Sequence, residues 1–307
     1  MACGCPCQRL CRDWCSTLSL IENSLEKLRR ATAKESTAAA TAFPDALRSE
    51  SVVTLELRHA HKRIAVDFDR LRTFGYLPEQ GQERRFADYC HRIKRPLIDR
   101  AMGSNSAADS RLILLSSALP GDGKTFVTLN LALSMARERD ISVLLVDGDL
   151  PKARISDVLG LRDKMGLLDA LKDDTLDVES LVLDTDVSNL EVLPAGQPSE
   201  GAAELLASAR MRDISTRLIS RHPKRLVLFD SPPLLVSSEA RALAPIPGQV
   251  ILVVRARHTP RRSIADAIAQ IDKKKLQGLV LNDAYELGPE HGYYDYYGEV
   301  EAPSKPA

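Results

Sequence analysis

Eleven residues, Ser116-Ser117-Ala118-Leu119-Pro120-Gly121-Asp122-Gly123-Lys124-Thr125-Phe126, constrain the architecture of this 307-residue chain more than any others. They follow the apolar run Leu112 to Leu115 and precede a helix-like stretch. Strand, glycine-bearing loop and helix in that order make a phosphate-binding loop. Gly121 and Gly123 permit the tight turn that aims successive N–H groups at one phosphate. Lys124 supplies a point charge for terminal phosphates, and Thr125 a hydroxyl for a magnesium ion. Ala118 stands where glycine is commoner, one small residue for another. Pro120, Gly121, Asp122, Gly123, Lys124, Thr125 and Phe126 are the candidate nucleotide contacts.

The rest of the chain after about residue 109 repeats the same alternation. Apolar, β-branched runs at 112–116, 141–146, 189–193, 225–229, 250–254 and 278–282 read as strands. Helix-like segments at 124–137, 155–160, 164–172, 201–220, 237–245 and 261–272 lie between and after them. This pattern predicts an α/β fold of the P-loop NTPase type, a parallel sheet with helices on both faces. Two further strands end in carboxylates: Ile141 to Val146 runs into Asp147-Gly148-Asp149, and Arg225 to Phe229 into Asp230-Ser231-Pro232-Pro233. Such acids either cap turns or hold magnesium. Three of them at the ligand-binding edge of a sheet, downstream of a phosphate loop, favour the magnesium role.

Before this region, Leu18, Ile21, Leu25 and Leu28 form a short amphipathic helical pattern, followed by an Ala/Thr/Ser-rich linker over 31–50. Residues 61–101 read as helical, with Phe86, Cys90, Ile93 and Leu97 on one face and Arg84, Arg85, His91, Arg92, Lys94 and Arg95 elsewhere. That basic face is either solvated or set against a neighbouring subunit's carboxylates. Five of the six cysteines fall at Cys3, Cys5, Cys7, Cys11 and Cys15, in spacings that match no zinc site. Lys+Arg and Asp+Glu both number 42 and aromatics are 5%, so nothing favours a nucleic-acid partner. The longest apolar runs, such as Val250 to Val254, fall far short of the ~20 residues of a membrane span.

The C-terminal stretch Tyr293-Tyr294-Asp295-Tyr296-Tyr297 contains four of the seven tyrosines in a polar, glycine-flanked setting. It is either an aromatic patch on the core or a mobile acceptor segment. With the phosphate loop, the D-x-D and the D-S-P-P, it makes the chain resemble the bacterial tyrosine kinases (BY-kinases). These are similar in fold to MinD/ParA ATPases and unlike eukaryotic protein kinases. The resemblance covers about residues 18–298 and is strongest to exosortase-associated tyrosine autokinases, which accompany exopolysaccharide loci.

The resemblance implies ATP-dependent autophosphorylation at Tyr293, Tyr294, Tyr296 and Tyr297 between identical subunits, with Tyr285 the next candidate. It implies ATP and Mg2+ as cofactors, with Thr125, Asp149 and Asp230 on the magnesium, Lys124 and Asp147 catalytic (Asp147 as the base), and Asn282 near adenine. The implied partners are further copies of the chain, in a ring, a separate transmembrane activator resembling a chain-length determinant, and a phosphotyrosine phosphatase. The implied location is cytoplasmic, peripheral at the inner face of the plasma membrane through that partner. The expected organisation is a mis-annotated extension over 1–17, a helical oligomerisation region with linker over 18–108, a kinase domain over 109–285 and a flexible tyrosine-rich tail over 286–307. Two departures stand out. The segment after D-x-D reads Leu150-Pro151-Lys152-Ala153-Arg154 where the family is arginine-rich. The family's E-x-x-R-x-x-R oligomerisation motif survives only as Asp88-x-x-His91-x-x-Lys94. The rivals are a MinD/ParA-like ATPase switch and an ATP-binding scaffold of a polysaccharide export complex. Leu119 stands where many such switches carry a second lysine, which weakens the first rival.

Overall fold

The structure, a computed structural model, describes residues 62–104 and 106–284. The amphipathic pattern around Leu18, the cysteine cluster and the C-terminal tyrosines lie outside them.

Eight strands form one sheet: β1 (Arg63–Ile64), β2 (Leu112–Ser117), β3 (Ser142–Asp147), β4 (Leu183–Thr185), β5 (Leu190–Leu193), β6 (Arg225–Asp230), β7 (Gln249–Arg255) and β8 (Leu276–Asn282). Their order is β1-β4-β5-β3-β6-β2-β7-β8. Every neighbouring pair is parallel except β4 and β5. The six expected strands are all present, with their ends within three residues of the expected positions. Nine α-helices, α1 (Phe68–Thr73), α2 (Glu83–Met102), α3 (Lys124–Met135), α4 (Arg154–Val158), α5 (Leu167–Lys172), α6 (Ala202–Ala207), α7 (Ala209–Ser220), α8 (Ser238–Leu243) and α9 (Arg261–Ile268), and two short 3-10 turns, Ala108–Arg111 and Val178–Leu181, complete the described elements. Among the described residues no helix is long and apolar enough to cross a membrane.

The period of two in the strands sorts their side chains into two cores. Leu112, Leu114, Leu144, Val146, Val227, Phe229, Val250 and Leu252 face one way, against Leu168, Leu206, Met211, Ile214 and Leu243. Ile113, Leu115, Val143, Leu145, Leu226, Leu228, Ile251 and Val253 face the other, against Leu71, Leu97, Leu129, Met135 and Ile155. Two layers of helix leave the central strands fully buried, as a parallel sheet requires.

Three local features differ from the sequence reading. The helix expected over 201–220 is broken at Ser208, whose extended backbone and Oγ, accepting from Met211 N, start a new helix. β1 and β4 were not expected, being two and three residues long with no periodic signal; β1 and the loop over 74–82 also break the helical reading of 61–101 into α1 and α2. On α2, Cys90 and Leu97 are buried as expected, but so is Lys94. Its Nζ donates to Ser134 O at 2.8 Å and pairs with Glu138 at 2.8 Å. The third position of Asp88-x-x-His91-x-x-Lys94 therefore fastens α2 to α3 within one chain and is not offered to a neighbour.

Candidate active site

The C-terminal ends of β2, β3 and β6 lie side by side, because β6 pairs with both β2 and β3. Asp147 and Asp230 are register partners across β3 and β6. The loop after β2 thus faces carboxylates from the two adjacent strands. Gly121 (φ 87°) and Gly123 (φ 90°) adopt the left-handed region expected of a phosphate loop, and Gly123 caps the N-terminus of α3. A Cβ at Gly123 would run into the Asn282 amide, and the left-handed backbone there disfavours any side chain.

Lys124 Nζ reaches Asp149 Oδ2 at 2.6 Å. Burial pulls the lysine pKa down, but the carboxylates of Asp230, Asp149 and Asp147 outweigh it and hold the pKa above its ordinary value. Thr125 Oγ1 donates to Asp230 Oδ2 at 2.7 Å, and Thr128 Oγ1 lies 3.1 Å from Asp230 Oδ1 while also 2.8 Å from Lys124 O. Asp230 is fully buried, and burial raises its pKa despite Lys124 and the two hydroxyls. Asp147 is also fully buried. Its Oδ2 accepts from both Ser156 N and Ser156 Oγ, each at 2.7 Å, while its Oδ1 has no partner. Burial pushes the Asp147 pKa up to about 7, with Asp230 and Asp149 adding to the rise.

Sequence reasoning named Lys124, Thr125, Asp147, Asp149 and Asp230, and they meet at one sheet edge. It missed three supports. Thr128 was findable, lying one helical turn beyond Lys124 on the same face. Ser156 holds Asp147 and also accepts from Ala195 N at 3.0 Å, bracing three separate loops. Thr259 donates from Oγ1 to Asp122 Oδ1 at 2.7 Å, while Asp122 Oδ2 accepts from Leu119 N at 3.0 Å. No local signal marks Ser156 or Thr259. Asn282 Nδ2 donates to Asp122 O at 3.0 Å, so it braces the phosphate loop from β8. Pro120 and Gly121 are exposed at the loop's tip, and Phe126 packs edge-on to Phe86 with centroids 5.2 Å apart. The tyrosines from Tyr285 onward lie outside the described residues.

The donor set suits magnesium. It consists of hard oxygens, the carboxylates of Asp149 and Asp230 and the hydroxyl of Thr125. Among the described residues no three acidic, His or Cys side chains enclose a metal by themselves.

No family model matches the chain. Among curated proteins, it is 30% identical over 205 residues to the tyrosine-protein kinase Wzc of Salmonella typhimurium, covering 64% of this chain but only 27% of that protein. It is 30% identical over 203 residues to the tyrosine-protein kinase YwqD of Bacillus subtilis, covering 66% of this chain and 80% of YwqD. Among solved structures, the VpsO kinase domain matches at 28% identity and a TM-score of 0.56, over 67% of this chain and all of that domain. The phosphate loop, the paired strand-end carboxylates and a relative matched over most of its length agree, and the chain belongs to the bacterial tyrosine-protein kinase family.

Proposed function

We propose that this chain transfers the γ-phosphoryl group of ATP to tyrosine, chiefly to Tyr293, Tyr294, Tyr296 and Tyr297 of a second copy. The observation that carries the reading is Asp147, a buried carboxyl with a pKa near 7 and one unpartnered oxygen, beside the lysine of a phosphate loop. Phosphoryl transfer depends on positioning and charge neutralisation more than on covalent help. The N–H groups from Gly121 to Thr125 cradle the phosphates. Lys124 exchanges Asp149 for phosphate oxygen and meets the negative charge that develops there. Thr125 and, through water, Asp149 and Asp230 would hold magnesium. Bound there, magnesium neutralises phosphate charge. Asp147 accepts the tyrosine proton as the phenolic oxygen bonds to the γ-phosphorus and the bond to ADP breaks. A base with a pKa near 7 suits that task at neutral pH.

The same reading gives the chain an oligomer of its own kind, a separate transmembrane activator and a phosphotyrosine phosphatase. It places the chain at the inner face of the plasma membrane, in control of exopolysaccharide synthesis and export. Asn282, beside the loop, is assigned to the adenine end of ATP.

Purified chain with ATP and magnesium should acquire phosphotyrosine, and Lys124→Met should acquire none. Mixing Lys124→Met chains with active chains lacking the four tyrosines should label the Lys124→Met tails. Nucleotide turnover without any phosphotyrosine would instead favour an ATPase switch.

A further inference from the structure

The loop after β7 reads Arg255-Ala256-Arg257-His258-Thr259-Pro260-Arg261-Arg262, four arginines and a histidine in eight residues. It sits at the same sheet edge as the phosphate loop, tied to it by the bond from Thr259 to Asp122. The turn is firmly held: Thr259 N and His258 N both donate to Arg255 O, and Arg255 N donates to Thr259 Oγ1. Arg257 stands at its tip with φ 59°, a conformation that favours glycine, yet the residue is a fully charged one. Arg257, His258, Arg261 and Arg262 are exposed. Arg255 pairs with Asp283 at 2.9 Å, and Arg262 lies 4.0 Å from Asp266. Arg257 and Arg261 have no partner among the described residues.

The transfer site beside this loop is lined by three buried carboxylates, a poor neighbourhood for an acidic peptide. Yet the tyrosine segment 285–307 carries Glu286, Glu290, Asp295, Glu299 and Glu301 against Lys305 alone. A positive surface at the entrance offsets that repulsion, and arginine grips carboxylates in two-pronged fashion. Asp283, at the root of the chain's own segment, already occupies Arg255, which leaves Arg257 and Arg261 for an incoming one. We propose that Arg257 and Arg261 form the acceptor-docking surface, which takes the acidic tyrosine segment 285–307 of a second copy. This rests on the kinase reading and adds how the acceptor is chosen.

The test uses full-length chain with Tyr293, Tyr294, Tyr296 and Tyr297 changed to Phe, and a synthetic peptide of residues 285–307 as acceptor. Adding Arg257→Glu and Arg261→Glu should raise the peptide KM about tenfold and leave the ATP KM within about twofold. A peptide with Asp295, Glu299 and Glu301 changed to Gln should bind weakly to the parent chain and be insensitive to the arginine changes. An unchanged peptide KM overturns the proposal. So does an effect carried wholly by the ATP KM, which would make the loop a nucleotide contact. If the unmodified chain phosphorylates no tyrosine, the kinase reading fails separately. Docking is then decided by fluorescence anisotropy of the labelled peptide: a tenfold weaker Kd in the arginine variant supports it, and equal Kd values overturn it.

Discussion

Replacing Asp147 by Asn should stabilise the metal-free protein at alkaline pH while abolishing phosphoryl transfer. The Asp147 carboxyl titrates near 7 in the folded chain against an ordinary value of 3.8. A shift of about three units corresponds to about 4 kcal/mol. Between the two values the native state binds more protons than the unfolded chain, so native stability falls as pH rises through this window. Below pH 4 the contribution is fully present, and above pH 7 it is lost. An amide carries no charge at any pH and escapes this loss. It brings its own penalty, since Oδ1 has no hydrogen-bond partner to keep for the group that replaces it, at about 1–3 kcal/mol. That penalty does not vary with pH and cancels when pH values are compared. The stability difference between Asp147→Asn and the parent should therefore swing toward the variant by about 2.5 kcal/mol between pH 5 and pH 8, the rest of the change falling below pH 5. Urea titrations in EDTA, without nucleotide, at several pH values would measure it, provided the m-value is unchanged. Parallel stability curves for the two proteins would show that Asp147 does not bear the desolvation assigned to it, and its role as base would fall too.

Gly123→Ala should lower ATP affinity by about tenfold or more, because its Cβ collides with the Asn282 amide and its φ of 90° resists any side chain; calorimetric ATP titration checks it. Arg225→Met should destabilise the fold by about 3–5 kcal/mol, since Glu179 and Glu191 lose their buried partner, yet leave the ATP KM unchanged because Arg225 begins the strand that Asp230 ends. Denaturation midpoints and ATP kinetics on the same preparation separate the two effects. Arg257→Gly should stabilise the chain by about 0.5–1 kcal/mol through relief of its left-handed backbone, while raising the acceptor peptide KM. A loss of stability there would show that Arg257 serves the fold.

The parts of this architecture that were legible in the sequence are those that local chemistry writes. Leu112 to Leu115 must be a buried strand, the glycines after it must turn, and carboxylates directly after two further apolar runs must sit at a sheet edge. β1 and β4 were illegible because two or three residues carry no period; their pairing is decided by the sheet they join. Lys94 looked like part of a basic surface, and only the approach of α3 reveals that its stem is buried and its ammonium held by Ser134 and Glu138. Ser156 and Thr259 are ordinary residues in their local sequence. Ser156 acquires its role from Asp147, nine residues earlier across the turn into α4, and Thr259 from Asp122, brought close by the sheet's crossovers.

Asn282 and Asp283, at the end of β8, bear on how such kinases exchange their acceptors. Asn282 braces Asp122, its carbonyl accepts from Ala256 N, and Asp283 holds Arg255. Among the described residues, the phosphate loop's last contact with the chain is Asn282. A graft joined after Ala284 keeps every one of these bonds, whereas one joined two residues earlier, after Asn282, loses the pair between Asp283 and Arg255. On the proposed kinase reading, exchanging the segment after Ala284 should therefore change which peptide is modified while leaving the bonds around the phosphate loop in place.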